Sequence, residues 1–336
     1  MSKEKRPALC PTAVKTSIGG QALIEGIMMR GPKKTVMAVR HVSGEIVTEE
    51  CAISQKERPR FWKLPLFRGL YGMVESLRIG YKCLMRSAEL AGLEEETQDA
   101  AKDEKSQKLL MSVLMVVSTV LGVLLALGLF MYLPSLLYKL LAGAIDGATG
   151  NTFWTDSAIL RGVFEGLLRL VLFLAYLVAV TMMKDIRRVF MYHGAEHKTI
   201  FCYEHGEELT VENIRRQSRF HPRCGTSFLM LTLLVGIVVS ICIQIDTVWL
   251  RVLIKLALLP LTVGVGYELI KLAGRKDNRF TRIISAPGLW IQRLTTKEPD
   301  DSMIECAIAA FVPVIPEEEK QEEVTSDDGN GTVKDH

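Results

Sequence analysis

The longest uninterrupted apolar stretch, LLMSVLMVVSTVLGVLLALGLFMYLPSLLY, runs from Leu109 to Tyr138 without a charged side chain. About 20 such residues cross the hydrocarbon of a bilayer, so this stretch predicts a membrane-spanning helix over about 109–133. Three more apolar segments predict spans over about 158–183, 226–246 and 250–272. The second is impure: Arg161, Glu165 and Arg169 recur every four residues along its first half. That spacing puts them on one helix face, where they can pair. Charges inside a span face protein or water, so the stripe predicts either a bundle-lining face or a helix that extends beyond the bilayer there. The fourth segment carries Lys255, Pro260 and Glu268, and only DTVW separates it from the third. The pair is expected to form an antiparallel hairpin, or the fourth is partly re-entrant.

The pattern differs before the first span. TVMAVRHV and EIVTEECAI flank Ser43-Gly44, which predicts a β-hairpin over 35–53 within a small β unit at 18–60. Over 61–92, Phe67, Leu70, Val74, Leu77 and Tyr81 recur at helical spacing, punctuated by Arg68, Lys82 and Arg86. This amphipathic pattern fits a helix on the membrane surface, and equally a helix packed on the β unit. Residues 1–17 read as a mobile leader, and 94–108 as a polar linker to the first span. Residues 274–315 read as an interfacial segment with Trp290 among apolar and basic neighbours, and 316–336 as a disordered acidic tail. The predicted fold class is a mainly α, polytopic membrane protein. It has about four transmembrane helices, a small N-terminal β-hairpin unit and interfacial amphipathic helices.

Composition agrees with membrane insertion: 49% of residues are hydrophobic and mean hydropathy is +0.20. No apolar run precedes Leu109, so the first span is expected to direct insertion itself. Net charge is +3, but residues 317–336 hold eight acids against two bases, a net of −6, which leaves +9 on the rest. That basic excess lies beside the spans, so its expected partner is the anionic inner leaflet and not nucleic acid. Lys184, Arg187, Arg188, Lys198, Arg215, Arg216, Arg219 and Arg223 crowd the segment between the second and third spans, whereas only Lys139 precedes Arg161 in the loop before. The positive-inside rule then places both termini and residues 184–225 in the cytoplasm. The seven scattered cysteines contain no C-x-x-C and predict reduced thiols, not a disulfide framework.

Candidate chemistry sits in that basic segment. The second span is expected to continue as a helix through KDIRRVFMYHGAEHKTIF, projecting His193 and His197 from one face with Glu196 beside them. H-x-x-E-H is the order of the inverzincin metallopeptidases, where two histidines hold zinc and the glutamate activates water. The segment closes with RFHPRCGTSF, where His221 and Cys224 have ligand-like H-x-x-C spacing. A divalent metal, zinc by its donors, is therefore expected. Two arrangements follow from the same residues. His193, His197 and one of His221 or Cys224 would make an open hydrolytic site with Glu196 as general base. All four donors would instead make a closed structural site in a membrane scaffold or regulator. A transporter built on Arg161, Glu165 and Arg169 is the weaker reading, because no inverted repeat accompanies it. Glu25 is as consistent with a turn as with a site, and Cys202 with a packed thiol. Asp300 and Asp301 read as a helix cap, with Asp300, Asp301 or Glu305 as an alternative carboxylate donor to the metal.

Three long motifs, GGQALIEGIMMRGP, DIRRVFMYHGAEHKTIFCYEHGEELTVENIRRQSRFHPRCGTSF and APGLWIQRLTTKEPDDSMIECAIAA, resemble the YqhQ-type family of bacterial membrane proteins. The resemblance covers roughly residues 17–312. It implies a metal-dependent enzyme in which the HGAEH and HPRCG blocks act together, and it names no substrate.

Overall fold

A computed structural model describes residues 16–51, 60–92, 104–275 and 278–316. Residues 1–15 of the expected leader, 317–336 of the acidic tail and most of the polar linker lie outside the described residues, as does the end of the expected hairpin at Ile53, whereas Thr16 is buried with its amide donating to Glu204 at 3.0 Å. The chain is mainly helical, with one small antiparallel sheet.

The β unit is larger than one hairpin. Strands β1 (Gly19–Leu23), β2 (Gly26–Arg30), β3 (Thr35–Arg40) and β4 (Ile46–Glu50) form a meander in the order β1-β2-β3-β4. The expected hairpin is β3–β4, with Val39 opposite Val47 and Gly44 at φ 89° in its turn. The central strands read GIMMR and TVMAVR because the sheet is covered on both faces. Leu23, Met28 and Met37 pack against Cys83 of α1 (Phe67–Leu90). On the other face, Ile27, Met29, Val36 and Ala38 join the core that contains Tyr192, Ala195, Met303 and Phe311. Those last four belong to α6 (Lys184–Glu204) and α12 (Asp301–Phe311), defined below in chain order.

Helix α1 packs on the β unit through its small residues, and most of the apolar face read from the sequence stays exposed. It buries Gly69, Gly80, Cys83 and Ser87, its small residues, and leaves Phe67, Val74, Leu77 and Tyr81 exposed. A small face lets the helix lie close to the sheet and to its neighbours, while the bulky apolar face is turned outward.

The apolar segments follow. Helix α2 (Glu104–Leu127) passes through a π-helical turn, Gly128–Tyr132, into α3 (Leu133–Thr149). Together they supply one stretch long and apolar enough to cross a membrane, Val116–Thr149, which reaches well past the expected end near residue 133. After the short α4 (Phe153–Asp156), α5 (Ala158–Thr181) supplies a second. The predicted continuation of this helix into the H-x-x-E-H segment is not found. Helix α5 ends at Thr181 with Met182 as its C-cap, Met183 is extended at ψ 128°, and α6 starts afresh at Lys184 with Asp185 in its first turn. A new N-terminus here lets α6 take its own direction, flat against the sheet.

Then come α7 (Val211–Arg216), α8 (Gly225–Ile241), α9 (Val248–Ala257) and α10 (Leu259–Arg275). Helix α8 coincides with the expected third span but has only 17 residues. The expected fourth span is the pair α9 and α10, bent by 46°. Among the described residues, two helices are thus long and apolar enough to cross a membrane, three if the bent pair counts as one. Helix α11 (Arg279–Thr295) opens with a capping box at Asn278 and leaves Trp290 exposed, and α12 completes the fold.

The Arg161–Glu165–Arg169 stripe faces protein. Arg161 and Glu165 are buried. Glu165 accepts from Arg251 at 2.7 Å and pairs with Lys255. Arg169 Nε donates at 2.8 Å to the carbonyl of Phe130, inside the π-helical turn.

Candidate metal centre

His193 and His197 lie one turn apart on α6, and their ring centroids are 4.4 Å apart. What aims them is a pair of backbone carbonyls. His193 Nδ1 is 2.8 Å from the oxygen of Thr295, and His197 Nδ1 is 2.6 Å from that of Arg219. A carbonyl only accepts, so both Nδ1 atoms carry a proton, and in the neutral ring each Nε2 then presents its lone pair. Such outer hydrogen bonds fix the tautomer and the ring orientation of histidine ligands.

The third donor comes from the N-terminus of α8. Cys224 caps that helix, its Sγ accepting from the amide of Thr226 at 3.4 Å, and lies 3.2 Å from His193 Nε2. Ligand atoms of His193, His197 and Cys224 all lie within 4.8 Å of one another.

His221 stands apart from that trio. Its ring is 5.6 Å from that of His197, centroid to centroid. Nδ1 accepts from the amide of Arg223 at 3.3 Å. Nε2 faces Glu204 at 3.8 Å, too long for a hydrogen bond. Burial pushes the His221 imidazole below its ordinary range, against the pull of Glu204. Glu204 is itself pushed up by burial, yet His221 and the Arg223 ion pair hold it below the usual carboxylate range.

Glu196 points from α6 toward β1. It is buried, and its Oε2 has no partner. Burial raises its carboxyl above the usual range, with His193 and the amide of Gly20 pulling the other way. The contact explains a glycine: a Cβ at Gly20 would lie 2.9 Å from Glu196 Cδ. Gly194 is needed for a similar reason, because a side chain there would meet the carbonyl oxygen of Lys297. The close approach is fixed by the amide of Lys297, which donates to Phe190 at 2.8 Å and so brings Thr295 to His193.

Several supports escape sequence reading. Gln292, fully buried on α11, grips both backbone groups of His221: it accepts from the amide and donates to the carbonyl, each at 2.7 Å. Lys198 donates to the carbonyl of Arg215 at 2.9 Å and pairs with Glu298, which also holds Arg219. These contacts place the Arg219 carbonyl that orients His197. The only signal for them is polarity at positions that helical periodicity buries. Glu25 is a clamp on α6: at φ 48° in the β1–β2 turn, it accepts from Arg188 at 2.5 and 2.6 Å and from Tyr192 at 3.3 Å. The C-terminal carboxylates are occupied elsewhere. Asp300 caps α12, Asp301 pairs with Arg215, and Glu305 pairs with Arg40. Cys202 is fully buried, its thiol directed at the carbonyls of Glu207 and Glu208.

Residues 64–317 match a family model described as a protein of unknown function, DUF1385. The chain is 36% identical over 317 residues to the uncharacterized protein YqhQ of Bacillus subtilis strain 168, covering 93% of each chain. No solved structure matches it.

Proposed function

The chain belongs to the DUF1385 family of proteins of unknown function, and for it we propose a metal-dependent hydrolase, with His193, His197 and Cys224 holding zinc and Glu196 as general base. The observation that carries this reading is the convergence of three donor atoms within 4.8 Å, each histidine having its other nitrogen committed to a carbonyl. Imidazole and thiolate are zinc donors, and three protein ligands leave a fourth position open, as catalytic sites do. The group of converging donor atoms does not include His221, so a closed four-ligand site has less support.

An ion held there would supply Lewis-acid activation of water and of a substrate carbonyl or phosphoryl oxygen. The protein's own part is positional and protonic. Glu196 takes a proton from the attacking water and returns it to the leaving group. Its unpartnered, buried oxygen is poised for that role, since a merely structural carboxylate would be paired. The carbonyls of Thr295 and Arg219 fix the Nδ1 proton and aim the imidazoles.

The same proposal places the protein in the bacterial cytoplasmic membrane as a multi-pass protein. Both termini and the metal centre are on the cytoplasmic side, against the anionic leaflet, with no nucleic-acid partner. The lysines and arginines of residues 184–225 support that orientation.

The test is Glu196→Gln, which keeps shape but accepts no proton. Normal abundance, normal metal content and a loss of function of about 100- to 10,000-fold in a complementation assay are expected. Full complementation with metal retained would remove Glu196 from catalysis.

A further inference from the structure

Far from the metal centre, on the sheet face covered by α1, two cysteines meet. Cys51 follows the last residue of β4 and remains bound to the sheet, its amide donating to Thr35 at 2.8 Å. Cys83 projects from α1 into the cluster of Leu23, Met28 and Met37. Their sulfurs are 2.9 Å apart. Non-bonded heavy atoms rest at about 3.5–4.0 Å, and a disulfide bond is about 2.05 Å long, so about 1 Å of movement separates contact from bond. Among the described residues no other two thiols touch. A cavity of about 280 Å³ is lined by both cysteines, with Lys82, Arg86, Glu49 and Met37. It gives a small reagent a way in.

We propose that Cys51 and Cys83 form a dithiol modification site, which a small soluble disulfide converts to an intramolecular disulfide. One thiolate attacks R–S–S–R and expels RS⁻, leaving a mixed disulfide. The second thiolate then displaces the remaining RS⁻ and closes Cys51–S–S–Cys83. Two protons and two electrons leave the protein, and two R–SH form. In a reducing compartment such a bond is transient and regulatory, not structural.

The bond would staple the end of β4 to α1. Helix α1 in turn grips the membrane helices at its other end, with Leu66 against Gly264 and Arg68 paired with Glu268. Oxidation would therefore fix the sheet, which carries Gly20 beside Glu196, to the apolar bundle. The site does not depend on the hydrolase reading.

The experiment uses the full chain in detergent micelles, equilibrated anaerobically with glutathione buffers of increasing oxidised fraction. Acid quenching, alkylation and peptide mapping follow. A Cys51–Cys83 cross-linked peptide should rise in one transition, with two alkylated thiols lost. Cys51→Ala and Cys83→Ala should each abolish the cross-link and leave a glutathione adduct on the surviving cysteine. Free alkylation of both cysteines in the wild type at the most oxidising ratio would overturn the proposal. So would stable glutathione adducts without the cross-link, or a bond from either cysteine to a different one. The wild-type result decides even if a variant fails to fold.

Discussion

Two buried polar clusters in this protein make opposite use of the same kind of residue. Around Glu165, on α5, charges find one another: Arg251 and Lys255 both meet the carboxylate, and Arg251 and Arg161 also donate to the carbonyl of Ile245. On α6 the Glu196 carboxylate keeps an unpartnered oxygen, and ligand atoms of His193, His197 and Cys224 lie within 4.8 Å of one another. The first cluster compensates the cost of removing charges from water with the charges themselves. The second carries an uncompensated cost, which a ligand could offset. A buried charge is therefore a weak pointer to a site, and a buried lone pair without a partner is a stronger one.

Removing a member of each cluster should separate them. His193→Ala and His197→Ala should each abolish stoichiometric metal, because each removes half of the one-turn chelate; elemental analysis of the purified chain reads this. Retained metal in both would dissolve the contrast. Glu165→Ala should leave metal per folded chain unchanged and lower stability by about 3–5 kcal/mol, since it strands two cations. Thermal unfolding in detergent measures it, and metal loss without destabilisation would contradict the assignment. Gly194→Ala should sit between the two: its methyl group meets the Lys297 carbonyl and costs about 1–3 kcal/mol of overpacking, with weaker metal affinity as Thr295 shifts from His193.

The smallest effect is one of pH. Glu204 titrates below its ordinary value in the folded chain, so its contribution to stability is complete above the unfolded carboxyl pKa of about 4.3. It is lost as pH falls through the folded value. The stability gap between wild type and Glu204→Gln should thus be flat at neutral pH and narrow under acid. A gap that widened toward low pH would show that Arg223 and His221 do not hold the carboxylate.

The legibility of these clusters in sequence was uneven, for physical reasons. The i, i+4 pair His193 and His197 is a local pattern, so a helix alone places it, and the hairpin at Ser43-Gly44 is equally local. Strands β1 and β2 are not legible as strands because IEG hides a two-residue turn held by distant partners, the Arg40 amide on the Glu25 carbonyl and Arg188, 163 positions away, on its carboxylate. The break at Met182–Met183 carries no proline or glycine to announce it. Helix α1 was legible as amphipathic, but its periodicity could not tell which face is buried: Gly69, Gly80 and Cys83 won over Val74 and Leu77 through close approach. The choice between His221 and Cys224 rests on Gln292 and Glu204, whose roles exist only once α11 and α6 are packed.

The open three-ligand centre is tested most directly by X-ray absorption at the zinc edge on the purified full-length chain. One zinc per chain is expected, with two imidazole nitrogens and one sulfur at about 2.0–2.1 and 2.3 Å, and one light oxygen neighbour. His221→Ala should leave that shell unchanged. A shell of three nitrogens and one sulfur that loses a nitrogen in His221→Ala, or no bound metal at all, would contradict it.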